Sequence, residues 1–558
     1  MDTNIFHRFQ AALIDMDGVL YDSMPGHTLA WKRMIEGLGI ECSREEFYLY
    51  EGMTGVATVN LLFERAYGHG CSREEAMRLY EIKSRYFKEW GEAPMMPGAG
   101  LMLMGLKEGG MKRVLVTGSA QKNLLERLDR DYPEIFDEDK RVTALDVTRG
   151  KPDPEPYLQG ARKAGVAPSQ AMVIENAPLG VRAGKAAGCF TVAVTTGPIP
   201  REEFERVGAD MIFGSMQDFA AFIESQLFAY KILKHIESLQ PDKIFVLLDR
   251  NVKHLHSLDF SFADSVMLVN GGEECKSTSE LCKVWEWLGD EGATRESVLI
   301  NVGGGCVSDL GGFAAATFKR GIRYVNVPTT VLGAADAAIG GKTGINFMGL
   351  KNEVGAFALP EAVVFLPFLL RTLPGRERLS GLAEVVKMAA INDAGLYRRL
   401  LDGDAMADEP LMNEGVIHAA RCKEEVVSLD PKEKGLRRIL NFGHTAGHAF
   451  EEYARESGRT LTHGEAVAHG ILVAMKLSEK FAGLSADVAE DYKLRILNRY
   501  FSPLPFGSES ADRLVELMRH DKKNRGDEIA FVLLRELGNP LEAVSVPAGD
   551  IKDVLLKL

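Results

Sequence analysis

Cysteine is scarce: seven residues are scattered through 558, and no two form a CxxC pair. A disulfide framework and a thiolate zinc knot are therefore both excluded, and the thiols read as reduced. Long apolar runs are missing as well. The longest, such as "AVVFLPFLL", fall far short of the ~20 residues a membrane helix needs. Basic excess is absent, since 66 Lys and Arg face 79 Asp and Glu for a net charge of −13. A nucleic-acid partner held by a basic surface is excluded on that ground. The N-terminus "MDTNIFHRFQ" lacks the basic-then-apolar plan of a secretory signal. No fixed-period repeat or low-complexity tract is visible. These absences lead to the expectation of a soluble cytoplasmic protein without a membrane partner.

What is present is ordinary globular composition, 46% hydrophobic and 26% charged, in a chain too long for one core. Two or three domains are expected. The first third alternates short apolar runs with helical patterns: "AALIDMDGVL", "RVLVTGSA", "AMVIENAPLG" and "FTVAVTTG" each read as a buried strand followed by polar or Gly residues. Such alternation implies a parallel sheet covered on both faces. Helical patterns alone fill roughly 23–93, an insertion after the first strand. A new strand begins at "KIFVLLDRNV", so a boundary is placed near 225. The chain is again α/β to about 375, with "SVLINVGGG" and "IRYVNVPTT" as strands, and "GGKTGIN" and "GLKNEVGAF" as Gly-rich loops. It then reads as helical to the end, apart from "EIAFVLLREL" as a late strand or hairpin. The expected parts are 1–225, 226–375 and 376–558.

In the first part, "DMDGVLYDS" puts Asp15 and Asp17 on the loop after the first strand, at the ligand-binding edge of such a sheet. One carboxylate can attack phosphorus while the other handles protons. Later loops bring Thr117, Lys151, and Glu175 with Asn176: a hydroxyl, a positive charge, and oxygens for Mg²⁺. Four such elements in order resemble the haloacid dehalogenase (HAD) superfamily, in its β-phosphoglucomutase-like branch, over about 10–222. The resemblance implies a Rossmann-like domain with a helical cap. It implies Asp15 as nucleophile, Asp17 as general acid/base, Thr117 and Lys151 on the phosphoryl group, and Mg²⁺ at Asp15, Asp17, Glu175 and Asn176. The acidic loop departs from the family's Glu-Asp, since Asn176 brings an oxygen but no charge.

In the second part, "NVGGGCVSDLGG" follows a strand and opens a helix, a place where backbone can approach a pyrophosphate. Asp249, and Glu273 with Lys276, stand after neighbouring strands, so a dinucleotide site is one reading. Farther on, Glu384 and Lys387 share a helical face in "GLAEVVK". Histidines appear at 444, 448 and 463. Glu384 with two His suits Zn²⁺ with an open position. Taken singly, the Glu also reads as an ion-pair partner of Lys387, and each His as a satisfied core residue. His444 and His448, four apart, share a helix face. They could form a metal pair, or divide between a metal and another role.

The ordered set "GGGCVSDLGGFAAATFKRG", "VPTTVLGAADAAIGGKTGIN", "KNEVGAF", "GLAEVVK", "NFGHTAGH", "HGEAV" and "DKKNRG" resembles the 3-dehydroquinate synthase family over about 228–558. The resemblance implies an α/β NAD-binding domain, a helical metal-binding domain, catalytic NAD, and Zn²⁺ or Co²⁺. It assigns the metal to Glu384, His444 and His463, and catalysis to Lys387 and His448. It assigns NAD to Asp249, Glu273, Lys276, Gly303, Gly304, Gly305, Asp309, Thr329 and Thr330. It places the substrate against Arg320, Asp336, Lys342, Lys351, Asn352, Arg437, Asn441 and a lysine of Lys522 or Lys523. The implied reaction turns DAHP (3-deoxy-D-arabino-heptulosonate 7-phosphate) into 3-dehydroquinate, with a homodimer formed through this part. The alternatives are a cyclase for another sugar phosphate and a HAD part that only binds. Arg437, Asn441 and His448 favour a carboxylate-bearing substrate. The HAD substrate is expected to be a small phosphorylated metabolite.

Overall fold

A computed structural model describes residues 4–118, 122–136, 138–519 and 528–558. The chain divides into two compact units, Met1–Lys234 with Ser257–Asp259, and His235–His256 with Phe260–Leu558. The boundary expected near 225 falls inside a continuous helix, Met216–Ile236, and the division comes after Lys234.

The first unit is built on six strands: β1 (Ala11–Ile14), β2 (Lys112–Val116), β3 (Arg141–Val142), β4 (Ala171–Glu175), β5 (Phe190–Val194) and β6 (Met211–Phe213). Their order is β3-β2-β1-β4-β5-β6, and every pairing is parallel. β1 and β4 are buried along their whole length, as strands covered on both faces must be. The order reverses beside β1, so the loops after β1, β2 and β4 open onto one crevice. Helices α1 (Met24–Glu36), α2 (Gly55–Tyr67) and α3 (Arg73–Trp90) form the insertion after β1. They pack around Trp31, Ile35, Val59, Leu62 and Leu79 as a core of their own. Among the described residues no helix is long and apolar enough to cross a membrane.

The second unit has a parallel sheet of β7 (Ile244–Asp249), β8 (Ser265–Val269), β9 (Val298–Gly303), β10 (Arg323–Pro328) and a short strand Ala362–Val363. Between the last two lies an antiparallel hairpin, β11 (Lys342–Phe347) and β12 (Leu350–Phe357). The Gly-rich loops expected here are thus paired strands, joined by Met348 and Gly349, both at positive φ. Pairing satisfies the backbone of a segment otherwise exposed along nearly all of β12. The helical part holds α4 (Gly375–Asn392), α5 (Glu409–Leu429) and α7 (His463–Phe481) around one large apolar core, and α6 (His444–Glu456) packs with α7 in a second. The late strand is a hairpin, Glu528–Glu536 with Asn539–Pro547.

Candidate functional sites

In the first unit the strand ends gather the expected residues. Asp15 follows β1, Thr117 follows β2, and Asn176 follows β4. Lys151 Nζ donates to Asp15 Oδ1 at 2.5 Å and to Glu175 Oε1 at 2.6 Å. Tyr157 also donates to Glu175 Oε1, while the Asn176 and Ala177 amides donate to Oε2. Both oxygens of Glu175 are therefore occupied, and the carboxylate is turned toward Lys151 rather than toward an ion beside Asn176. Gly18 adopts φ +75, and a Cβ there would lie 1.8 Å from Asn176 Nδ2, so only glycine fits.

Three residues that the motifs did not point to enter this site from the cap. Asp17 Oδ1 accepts from Ser23 (2.6 Å) and lies 3.2 Å from His27 Nε2. His27 Nδ1 lies 2.6 Å from Lys83 Nζ. Burial alone would raise the Asp17 carboxyl, but His27, Ser23 and Lys83 bring it down to about 2. Burial pushes the Lys83 ammonium down to about 7 against the pull of Asp17. Glu51, in the turn before α2, accepts from Asn176 Nδ2 at 3.1 and 3.2 Å. Burial, then Asp15 and Glu175, hold Glu51 well above the usual carboxylate range. Asn176 Oδ1 is buried without a hydrogen-bond partner among the described residues. Asp15, Asp17 and Glu51, with the orphaned Asn176 amide oxygen, fit a hard divalent cation, while Glu175 is taken up by Lys151 and Tyr157. The cavity between them is small, about 80 Å³, and is walled by Trp31, Tyr50 and Tyr80.

The second unit carries a different constellation. Glu384, on α4, is fully buried among apolar neighbours. Its Oε1 lies 3.4 Å from His444 Nε2 and 3.3 Å from His463 Nε2. Lys387 Nζ sits 2.6 Å from Oε2 and donates to the Leu440 carbonyl. Neither Glu384 oxygen receives a well-aligned hydrogen bond among the described residues. Local structure fixes both imidazoles. α6 starts at His444 because Gly443, at φ +79, turns the chain where a Cβ would strike the Ile471 amide at 2.9 Å. α7 starts at His463 through a capping box between Thr462 and Glu465. The remaining ring nitrogens are also held: His444 Nδ1 lies 3.2 Å from the Phe442 carbonyl and His463 Nδ1 3.0 Å from Glu451 Oε2. Both Nε2 atoms are thus left for a cation beside Glu384. The ligand atoms of Glu384, His444 and His463 lie within 4.8 Å of one another. A buried, poorly bonded carboxylate with two such imidazoles fits a divalent ion with an open position.

A cavity of about 640 Å³ adjoins this cluster, lined by Lys342, Glu433, Arg438, Asn441, His444 and His448 among others. Glu433 pairs with Lys342 at 2.5 Å and accepts from Asn441 at 2.9 Å. His448 is open to the cavity, and partial withdrawal from water, then His444 and His463, hold its imidazole below the ordinary value. Arg437 is buried beneath the wall, donating to the Pro431 and Gly340 carbonyls. Asp336 pairs at 2.6 Å with Lys423, which the motifs had not singled out. Arg320, at φ +69 beside a helix end, is exposed and is not among the residues that line this cavity. Lys522 and Lys523 lie outside the described residues.

The dinucleotide residues sit at the ends of β7 to β10. Asp249 caps the following helix through the Asn251 amide. Lys276 donates to Asp309 (2.8 Å) and to Asn352 in β12. Asn346 and Cys306 donate to the two oxygens of Glu273. Gly303–Gly305 lead from β9 into a helix, Gly305–Thr317. A Cβ on Gly304 would lie 3.0 Å from Thr330 Cγ2, and Gly333 N donates to Thr330 Oγ1. Such a bare turn at a helix N-terminus fits a pyrophosphate.

A glycine turn at a helix N-terminus, a Glu-His-His cluster and a polar cavity together fit the sugar-phosphate cyclase type of architecture, preceded along the chain by a HAD-type unit. Residues 266–380 match the model of the 3-dehydroquinate synthase N-terminal region, and 381–524 that of its C-terminal region. Residues 9–188 match haloacid dehalogenase-like hydrolases. A 3-dehydroquinate synthase of Parabacteroides distasonis is 42% identical over 311 residues, 54% of this chain and 88% of that protein. The chain belongs to the 3-dehydroquinate synthase family. A 2-deoxy-scyllo-inosose synthase, solved with carbaglucose-6-phosphate, NAD⁺ and Co²⁺, is 27% identical with a TM-score of 0.51 and covers 58% of this chain and 94% of its own. A Bacteroides vulgatus structure designated a β-phosphoglucomutase is 43% identical over 40% of this chain and 94% of its own, with a TM-score of 0.38.

Proposed function

We propose that the chain is a bifunctional enzyme. The second unit converts DAHP to 3-dehydroquinate with loss of phosphate, and the first hydrolyses or transfers phosphate from a compact phosphorylated metabolite. The observation that carries the synthase reading is the convergence of Glu384, His444 and His463 on one point beside a cavity lined by Lys342, Asn441 and His448. Identity to relatives named 3-dehydroquinate synthase, at 42%, supports it over a cyclase for another sugar phosphate, where identity is 27%.

When bound, a divalent cation supplies Lewis acidity toward the substrate's hydroxyls, and NAD accepts and returns a hydride. Glu384, His444 and His463 hold the cation, and Lys387 fixes the buried carboxylate. Lys342 and Arg438 offer positive charge to the anionic ends of the substrate. His448, on the cavity wall, offers a hydrogen-bonding group to the substrate. Glu433 orients Lys342 and Asn441 together. Asp249, Glu273, Lys276, the Gly303–Gly305 turn and Thr330 would hold the dinucleotide.

In the first unit, Asp15 attacks phosphorus and becomes a phospho-aspartate, while Lys151 and Thr117 hold the transferring group. When bound, Mg²⁺ would supply positive charge to that group, and Asp15, the Asp17 backbone carbonyl, Asn176 and Glu51 would hold it. Glu51, protonated while the site is metal-free, would lose its proton to the ion and so supply the charge that Asn176 lacks. Asp17, held as a carboxylate by His27, Ser23 and Lys83, takes a proton from the attacking water or hydroxyl. The small cavity favours a compact leaving group.

A homodimer through the synthase unit is supported by the hairpin, whose Phe347, Leu350, Val354 and Phe357 are exposed on a two-stranded sheet. Such a face calls for a second copy, and light scattering on the full chain tests it. The functional test is phosphate release from DAHP by the intact protein, with and without NAD and chelator. No turnover of DAHP with both cofactors present overturns the synthase reading.

A further inference from the structure

Glu451 belongs to none of the motifs, yet it touches two parts of the synthase site. Its Oε2 lies 3.0 Å from His463 Nδ1. Its Oε1 lies 3.6 Å from Lys351 Nζ on the β11–β12 hairpin. The adjacent Asn352 accepts from Lys276, which also donates to Asp309 in the dinucleotide cradle. One carboxylate on α6 therefore faces a cation-site imidazole on one side and the hairpin on the other.

We propose that Glu451 is a positioning residue that couples the cation centre to the hairpin. This rests on the cation-centre and dinucleotide readings above. Accepting the Nδ1–H of His463 fixes the tautomer in which Nε2 keeps its lone pair for the ion. A cation on Nε2 polarises the ring and strengthens its hydrogen bond to Oε2. The carboxylate, thus anchored, presents Oε1 to Lys351. Filling the cation site favours the seated hairpin, and the seated hairpin favours the cation, by the reciprocity of linked equilibria. The two legs differ in weight. His463 is held by a short, half-buried contact, whereas the Lys351 side chain is 60% exposed. An exposed pair contributes little, so the Lys351 leg is the weaker one.

His448, Glu451 and His463 also present ligand atoms within 4.8 Å of one another. A direct ligand role for Glu451 is the competing outcome, and the test separates the two.

The experiment measures Co²⁺ affinity by competition with a chromophoric chelator, and NAD affinity with and without Co²⁺. It uses the full-length protein and its Glu451→Gln, Glu451→Ala and Lys351→Ala variants. Glu451→Ala is expected to lower Co²⁺ affinity about 10–100-fold. Glu451→Gln, which keeps an acceptor but loses the charge, falls between. Lys351→Ala lowers it no more than about fivefold. The gain in NAD affinity on adding Co²⁺ is expected to shrink in all three. The visible spectrum of bound Co²⁺ keeps its band shape in Glu451→Gln. Wild-type Co²⁺ affinity in Glu451→Ala overturns the proposal. So does a changed Co²⁺ band shape in Glu451→Gln, which makes the residue a ligand. A wild-type protein that binds neither Co²⁺ nor NAD refutes the underlying reading of the site instead.

Discussion

Replacing Lys387 by Met tests whether the Glu384 centre is built for a cation. Lys387 and Glu384 are both buried, with 2.6 Å between Nζ and Oε2. Removing one partner of such a pair leaves an uncompensated buried charge, at a cost of about 3–5 kcal/mol. Domains of this size shift in Tm by about 2 °C per kcal/mol, so the expected loss is roughly 6–10 °C in chelator. A divalent ion beside Oε1 supplies positive charge of its own. With Zn²⁺ in excess, the loss should shrink to about half or less, because Glu384 is compensated in both proteins. The assay is thermal unfolding of the full chain, with and without Zn²⁺. The transition that moves with Zn²⁺ in the wild type marks the synthase unit, since binding to the folded form alone raises its stability. An equal loss with and without Zn²⁺ refutes the argument, for the ion would then not act on Glu384. No loss in chelator refutes it too, because the pair would not be compensating a buried charge.

Asp15→Asn should lower phosphohydrolase turnover by roughly 10³-fold or more, while phosphate release from DAHP is unchanged; two parallel assays on one preparation check this. Glu51→Gln should weaken Mg²⁺ activation by about 10-fold or more, read as a rightward shift of the Mg²⁺ titration of that activity. Lys83, lowered to about 7 by burial, is a cation only below that pH. The KM for a phosphorylated substrate should therefore rise as pH increases through about 7, and Lys83→Arg should flatten the profile. The same shift means that the folded form carries a penalty for the charged lysine below about pH 7. That penalty is relieved as pH rises toward the ordinary lysine value, so Lys83→Met should stabilise the first unit at pH 6 and have little effect at pH 10, as chemical denaturation will show.

Legibility followed the physics of each element. β1, β4 and β9 are buried end to end, so each appeared in the sequence as a mainly apolar run closed by polar or Gly residues, with buried Asn301 as the one polar interruption in β9. Those closing residues are the ones the crevice gathers. The unit boundary was harder to read, because a helix from Met216 to Ile236 carries no Gly or Pro break through it. Glu51 and Lys83 gave no signal, since cap residues reach the Asp15 loop only through tertiary packing. Glu451 was hidden differently: in "FEEYARE" it looks like any charged residue on a helix face. The i,i+4 spacing of His444 and His448 did place both rings on one side of α6, with centroids 5.3 Å apart. Spacing alone could not divide their roles. The division depends on Glu384, which comes from another helix and lies 3.4 Å from His444 Nε2, and on Phe442, whose carbonyl orients that ring. His448 has no such pair of constraints toward Glu384 and faces the cavity instead. A local pattern thus locates a site, while the partners that give each residue its job come from distant segments that only the fold brings together.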